Sequence, residues 1–331
     1  MPKRRLGPLP LGAFRIMRFL ADEPLGRGSI LVGGAISLLA LATFASSSKA
    51  DTPGRMSFEV ASIRQSKPGT FRPPNFALDN GDVYTPFGDP GGRFTADFPL
   101  SVYIEFAYKL WLTPEQTDSM LASLPKWVAT DSFEIHAKAE GNPTKDQMRL
   151  MMQSLLADRF KLSIHFETRQ ESVLALVLER PGKTGPRLRP HSDGPACDVH
   201  TPTPTPGSWT NADGVFPRIC DAFVKVPVAN HEILLGSRNA TMKQIADSLP
   251  SEGRLGRPVV DQTGLTGRFD FTLQWTPESN GPAQSGADAP LDSQGTTFLE
   301  ALKDQLGMKL KSTKAPLEVL VVDHVERPSE N

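Results

Sequence analysis

The sequence predicts an α+β protein: two tandem copies of a small helix-strand-helix-strand-strand unit with mainly antiparallel sheets, plus an N-terminal strand and loop region. Three observations lead there. Apolar residues switch repeatedly between helical and alternating spacing, the same order of elements occurs twice, and runs of residues in the second half echo runs in the first.

The chain opens on Arg4, Arg5, Arg15, Arg18 and Arg27, followed by an uncharged apolar run at residues 30–44. That is the charge order of a secretory signal. The run is shorter than the roughly 20 residues that cross a bilayer, and Ser48-Lys49-Ala50 suits cleavage after Ala50. The long basic region also fits a start at Met17, or an uncleaved segment anchored with its positive end in the cytoplasm. Residues 58–64 then alternate as a strand, and residues 67–92 are crowded with Pro, Gly, Asn and Asp, as loops and short hairpins are.

The first unit begins with a helix over residues 99–110, where Val102, Phe106 and Leu110 share a face and Pro99 suits a first turn. Phe133, Ile135 and Ala137 alternate as a strand, and Met148, Met151, Met152, Leu155 and Leu156 mark a helix over residues 147–160. Residues 162–166 and 173–178 follow as two strands. Residues 181–234 read as a Pro-rich linker carrying Cys197 and Cys220, stiffest at the Thr-Pro repeats of 200–207. The order then returns: a helix at 241–249, a strand at 269–273, a helix at 296–306, and strands at 308–310 and 319–322. Four segments result: 1–50 as signal or anchor, 56–180 as the first unit, 181–234 as linker, and 235–331 as the second unit.

Residues repeat as well as elements. Residues 157–164 (ADRFKLSI) lie without gaps on 303–310 (KDQLGMKL), 173–176 (VLAL) fall on 319–322 (VLVV), and Thr130-x-x-Phe133-Glu134-Ile135 matches Thr266-x-x-Phe269-Asp270-Phe271. The second copy inserts a loop rich in Pro, Gly and Ser at 276–295, which is either functional or tolerated.

The 36 Lys plus Arg against 37 Asp plus Glu leave a formal net charge of −1, so no field draws in nucleic acid. Two cysteines in an exported chain match a disulfide, Cys197 to Cys220. A metal reading, from Cys197-x-x-His200 with His191 nearby, lacks a second close ligand pair, so neither metal nor cofactor is expected. His136, His165, His231 and His324 are scattered.

No nucleophile elbow, H-E-x-x-H or Walker loop occurs. The most motif-like stretch is residues 259–271, whose functional candidates are Asp261, Thr263 and Asp270. Asp261 and Asp270 could act as paired carboxylates. The plainer reading makes Gly264 and Gly267 turn residues, turns Asp261 onto its own backbone, and leaves Asp270 as the outward residue of a strand. Arg159 and Lys161 beside Asp158 could bind an anion, or form a solvated helix end.

Residues 130–135, 155–162, 257–267 and 322–331 resemble the soil-associated, Solibacter-type acidobacterial family of exported proteins with a domain of unknown function. The resemblance covers about residues 58–331 and implies a periplasmic or extracellular compartment, with no established activity or catalytic residues. Some family members carry this domain behind a BlaR-type membrane metallopeptidase. The expected function is therefore a non-catalytic envelope module that binds a protein, peptide or glycan and meets the membrane only through its N-terminal segment. A sensor domain for such a peptidase and an unrecognised hydrolase are the alternatives.

Overall fold

The computed structural model describes residues 55–67, 69, 71–84, 90–197, 209–210, 214–277 and 295–328. The signal-like stretch, His200, the Thr-Pro repeats and most of the 276–295 loop lie outside the described residues. The fold mixes helices and strands, and all its strand pairings but one are antiparallel.

The first half runs β1 (Val60–Gln65), β2 (Arg93–Pro99), α1 (Leu100–Ala107), α2 (Pro114–Leu121), α3 (Trp127–Thr130), β3 (Ser132–Lys138), α4 (Lys145–Arg159) and β4 (Ser163–Leu178). β3 lies between β1 and β2, antiparallel to both. Its Phe133, Ile135 and Ala137 point into the core because a strand alternates its faces. α1 and α4 cover that face with Tyr103, Ile104, Phe106, Met148, Met152 and Leu156. Thr113 with Gln116 and Thr144 with Gln147 cap α2 and α4 reciprocally, satisfying orphan amides that would otherwise weaken each first turn.

The second half comprises β5 (Leu188–Pro190), β6 (Phe223–Pro227), β7 (Ile233–Thr241), α5 (Met242–Glu252), β8 (Val259–Asp261), β9 (Arg268–Trp275), α6 (Phe298–Leu306) and β10 (Met308–His324). Its sheet runs β5-β9-β7-β6, with α5 and α6 against it. The same reciprocal cap recurs at Thr241 with Gln244 and at Thr297 with Glu300.

Two expectations are corrected. The 181–234 segment is not a linker throughout, since β5 and β6 pair into the second sheet there. Short strands ended by Pro190 and Pro227 lose their ladder donors at those positions, which disguises them as loop. The paired strands expected at 162–166 and 173–178 are one strand, β4, and those at 308–310 and 319–322 are one strand, β10. Their polar middles look like turns because they run exposed between two apolar ends.

β4 and β10 form a long antiparallel ladder that carries both cores. Met308 pairs with Leu178 at one end, Gln170 with Pro316 in the middle and Ile164 with Val322 at the other. Leu162 and Ile164 of the first half and Leu320 and Val322 of the second pack into the first core. Leu174 and Leu176 pack with Met308 and Leu310 into the second. Each core is thus closed by the near end of one strand and the far end of the other. The described residues accordingly form one compact unit.

Candidate functional site

A cleft of about 200 Å³ opens where α2, the middle of the β4–β10 ladder and the 256–258 turn meet. α2 begins at Thr113 because its side chain caps the helix and Pro114 presets the first turn. This sets Met120 beside Leu110 and Leu112, and Val319 and Leu320 of β10 complete the apolar lining. Arg169 and Glu171 from β4, Arg257 from the turn and Glu115 from α2 bring charges of both signs to the rim. The Arg257 guanidinium is held by the Ser312 hydroxyl and, at 3.5 Å, by that of Ser172, so it is oriented before any ligand arrives.

The structure separates the two sequence-predicted carboxylates. Asp261 accepts from the backbone N–H of Thr263 at 2.9 Å and from its hydroxyl at 2.7 Å, while Thr263 Oγ1 accepts from Leu265 N–H at 3.2 Å. This is a side-chain-closed turn, completed by Gly264 and Gly267 at φ 73° and 98°. The carboxylate that feels Asp261 electrostatically is Asp247 of α5. Burial pushes the Asp247 carboxyl up, the Lys243 ammonium at 2.6 Å draws it back, and the charge of Asp261 raises it further.

Asp270 corrects the outward-facing expectation, since it is 4% exposed. His191, in the turn after β5, approaches it with Nδ1 2.6 Å from Oδ1. Asn239 N–H donates to the same oxygen at 3.1 Å, and the buried Arg238 donates Nε–H to Oδ2 at 3.4 Å. Arg189 adds a cation 3.6 Å away. The other imidazole nitrogen of His191 faces Cys197, with Nε2 3.9 Å from Sγ. Cys197 and Cys220 are joined by a disulfide, their Cα atoms 5.6 Å apart. Arg238 and Asn239 are the residues of this cluster that their sequence context hides, because the carboxylate they hold lies about thirty residues further along the chain on another strand.

A family model described as a protein of unknown function, DUF3738, matches residues 101–325, more than half of the chain. The chain belongs to the DUF3738 family. No curated protein and no solved structure matches it.

In this DUF3738 chain the anion-binding candidates serve the fold. Lys161 donates to the Asp158 carbonyl at 3.0 Å, Arg159 to that of Ala61 at 3.4 Å, and Asp158 pairs with Arg55 at 3.1 Å. His136, His165 and His324 each lie against a carboxylate, of Glu134, Asp323 and Glu326 respectively. Among the described residues of this DUF3738 protein, no helix is long and apolar enough to cross a membrane.

Proposed function

We propose that this protein is an exported cell-envelope binding module that holds a peptide segment in the cleft between α2 and the β4–β10 ladder. The observation that carries the reading is the lining: an apolar floor of Leu110, Leu112, Met120 and Leu320 beneath a rim bearing Arg169, Arg257, Glu115 and Glu171. An apolar side chain fits such a floor, and a peptide offers amide and charged groups of both signs to such a rim. The basic-then-apolar N-terminal order and the Cys197–Cys220 disulfide support export.

Met120→Trp fills the cleft from the face of α2. Peptides drawn from envelope proteins that raise the melting temperature of the wild type should lose at least about tenfold in affinity for the variant, a change of roughly 1.4 kcal/mol. Equal binding by a folded variant would remove the cleft from this reading. Export is tested separately by fractionation: full-length protein soluble in the cytoplasm would overturn it.

We also infer that the two halves are copies of one unit. Support comes from the element order, β3-α4-β4 in one half and β9-α6-β10 in the other. The residue alignment equates Phe133 with Phe269, Leu156 with Leu302 and Leu162 with Met308, and all six are buried. An experimental structure whose halves fail to superpose on these equivalences would end the inference.

A further inference from the structure

We propose that reducing the Cys197–Cys220 bond opens a metal site for a thiophilic cation of the Zn²⁺ class, its ligands being both cysteine sulfurs and Nε2 of His191. One ligand atom from each of these three residues already lies within 4.8 Å of the other two. Two thiolates and an imidazole are a donor set suited to Zn²⁺, and three protein ligands leave a fourth position for water or a ligand.

The second observation is the support behind the imidazole. His191 Nδ1 lies 2.6 Å from the Asp270 carboxylate, so the N–H belongs on that side and the lone pair of Nε2 faces the sulfur. A carboxylate behind a ligating histidine fixes its tautomer and raises its basicity. Asp270 is itself buried and held by Asn239 N–H and Arg238, so it cannot swing away.

The third observation is that the frame does not depend on the disulfide. Both flanking segments are tied to Arg238. Its guanidinium donates to the carbonyl of Pro195 and, at 3.4 Å, to that of Ala196, immediately before Cys197. Its own carbonyl accepts from Asp221 N–H at 2.9 Å, immediately after Cys220. Breaking the sulfur–sulfur bond therefore leaves both cysteines beside His191.

The chemistry balances with a dithiol reductant. The Sγ–Sγ bond breaks, two electrons and two protons pass to the cysteine sulfurs, and the reductant leaves as its own disulfide. Coordination then displaces both thiol protons to solvent. The disulfide and the bound cation are alternative occupants of one position, so the oxidation state of the pair gates the site.

The test uses the protein reduced with a phosphine, with Co²⁺ as a spectroscopic stand-in for Zn²⁺. One Co²⁺ per chain should bind, with sulfur-to-cobalt charge-transfer bands and the ligand-field bands of a four-coordinate ion. Zn²⁺ should displace it. The oxidised protein should show neither band, Cys197→Ser should lose most of the charge transfer, and His191→Gln should weaken binding by roughly tenfold or more. Absence of binding to folded, reduced protein overturns the proposal, as does equal affinity in His191→Gln. Circular dichroism of the reduced chain with and without Zn²⁺ accompanies the titration, and a fold lost on reduction that Zn²⁺ does not restore also overturns it.

Discussion

Lys145 is fully buried at the start of α4, and its ammonium is paired with the half-exposed Asp79 and donates to the Val83 carbonyl at 3.3 Å. Burial pulls its pKa below the ordinary 10.5, with Asp79 opposing the shift. A base with a lowered folded pKa binds fewer protons folded than unfolded between the lowered value and the ordinary one. Stability from this group is therefore least where both states are protonated, and it rises as the pH climbs through that window. Lys145→Met should remove this rise and leave stability near neutral pH unchanged or higher, because an apolar side chain needs no desolvated partner. Asp79→Ala strands the buried ammonium instead and should cost roughly 3 kcal/mol. Urea unfolding of the three proteins across alkaline pH checks both outcomes, and a wild-type stability that falls relative to that of Lys145→Met through the window would reverse the sign of the argument. Gly307 makes a second residue-scale case. It ends α6 at φ 71°, and a Cβ there would lie 2.6 Å from the Gly185 amide nitrogen. Gly307→Ala should thus cost more than the roughly 1 kcal/mol range of a simple glycine replacement, measurable by the same unfolding experiment.

At the scale of elements, Leu156 of α4 and Leu302 of α6 are each fully buried, one in either core. Leu→Ala at each should cost roughly 2 to 5 kcal/mol, measured by denaturant unfolding, and an effect under 1 kcal/mol at either would mean that its helix does not pack as described. These helices were legible because Met148, Met152, Leu155 and Leu156 in one, and Leu302 and Leu306 in the other, recur at helical spacing. α2 was missed, although Thr113-Pro114-Glu115-Gln116 spells its cap, because its helix buries no residue fully and so lacks an apolar stripe. With it went the cleft, whose wall it forms. β4 was split in two because Glu167 to Ser172 is polar, and local pattern does not tell a solvent-exposed strand from a turn. The turn at Asp261 was legible, since an aspartate followed by Thr and Gly closes on its own backbone. The burial of Asp270 was not, because His191 and Arg238, which cover it, come from other strands of the sheet and its flanking turn. Local pattern reports what a residue's neighbours in sequence do, and Asp270 is decided by neighbours in space.

For the whole molecule, the crossing of β4 and β10 decides how stability is distributed. The first core takes Leu320, Val322 and Val325 from the end of the chain, and the second takes Leu174, Leu176 and Leu178 from its first half. Neither half therefore closes its core alone, although each carries its own sheet and two covering helices. The boundary at residue 180, where the element order alone would cut the chain, passes through the point of greatest mutual dependence. A fragment of residues 56–180 would expose the apolar positions that Leu320 and Val322 cover, and would keep β4 without the antiparallel partner along its length. A lone edge of this kind is open to non-native pairing. The fragment should be aggregation-prone or unfolded by circular dichroism, whereas adding residues 308–325 as a separate peptide should restore part of the first core. In the intact chain the same coupling means one cooperative transition: fluorescence from Trp127 in the first core and Trp275 in the second should report coincident denaturant midpoints. Single-tryptophan variants separate the two signals, and midpoints that differ beyond error would show that the ladder joins two independent folding units rather than building one.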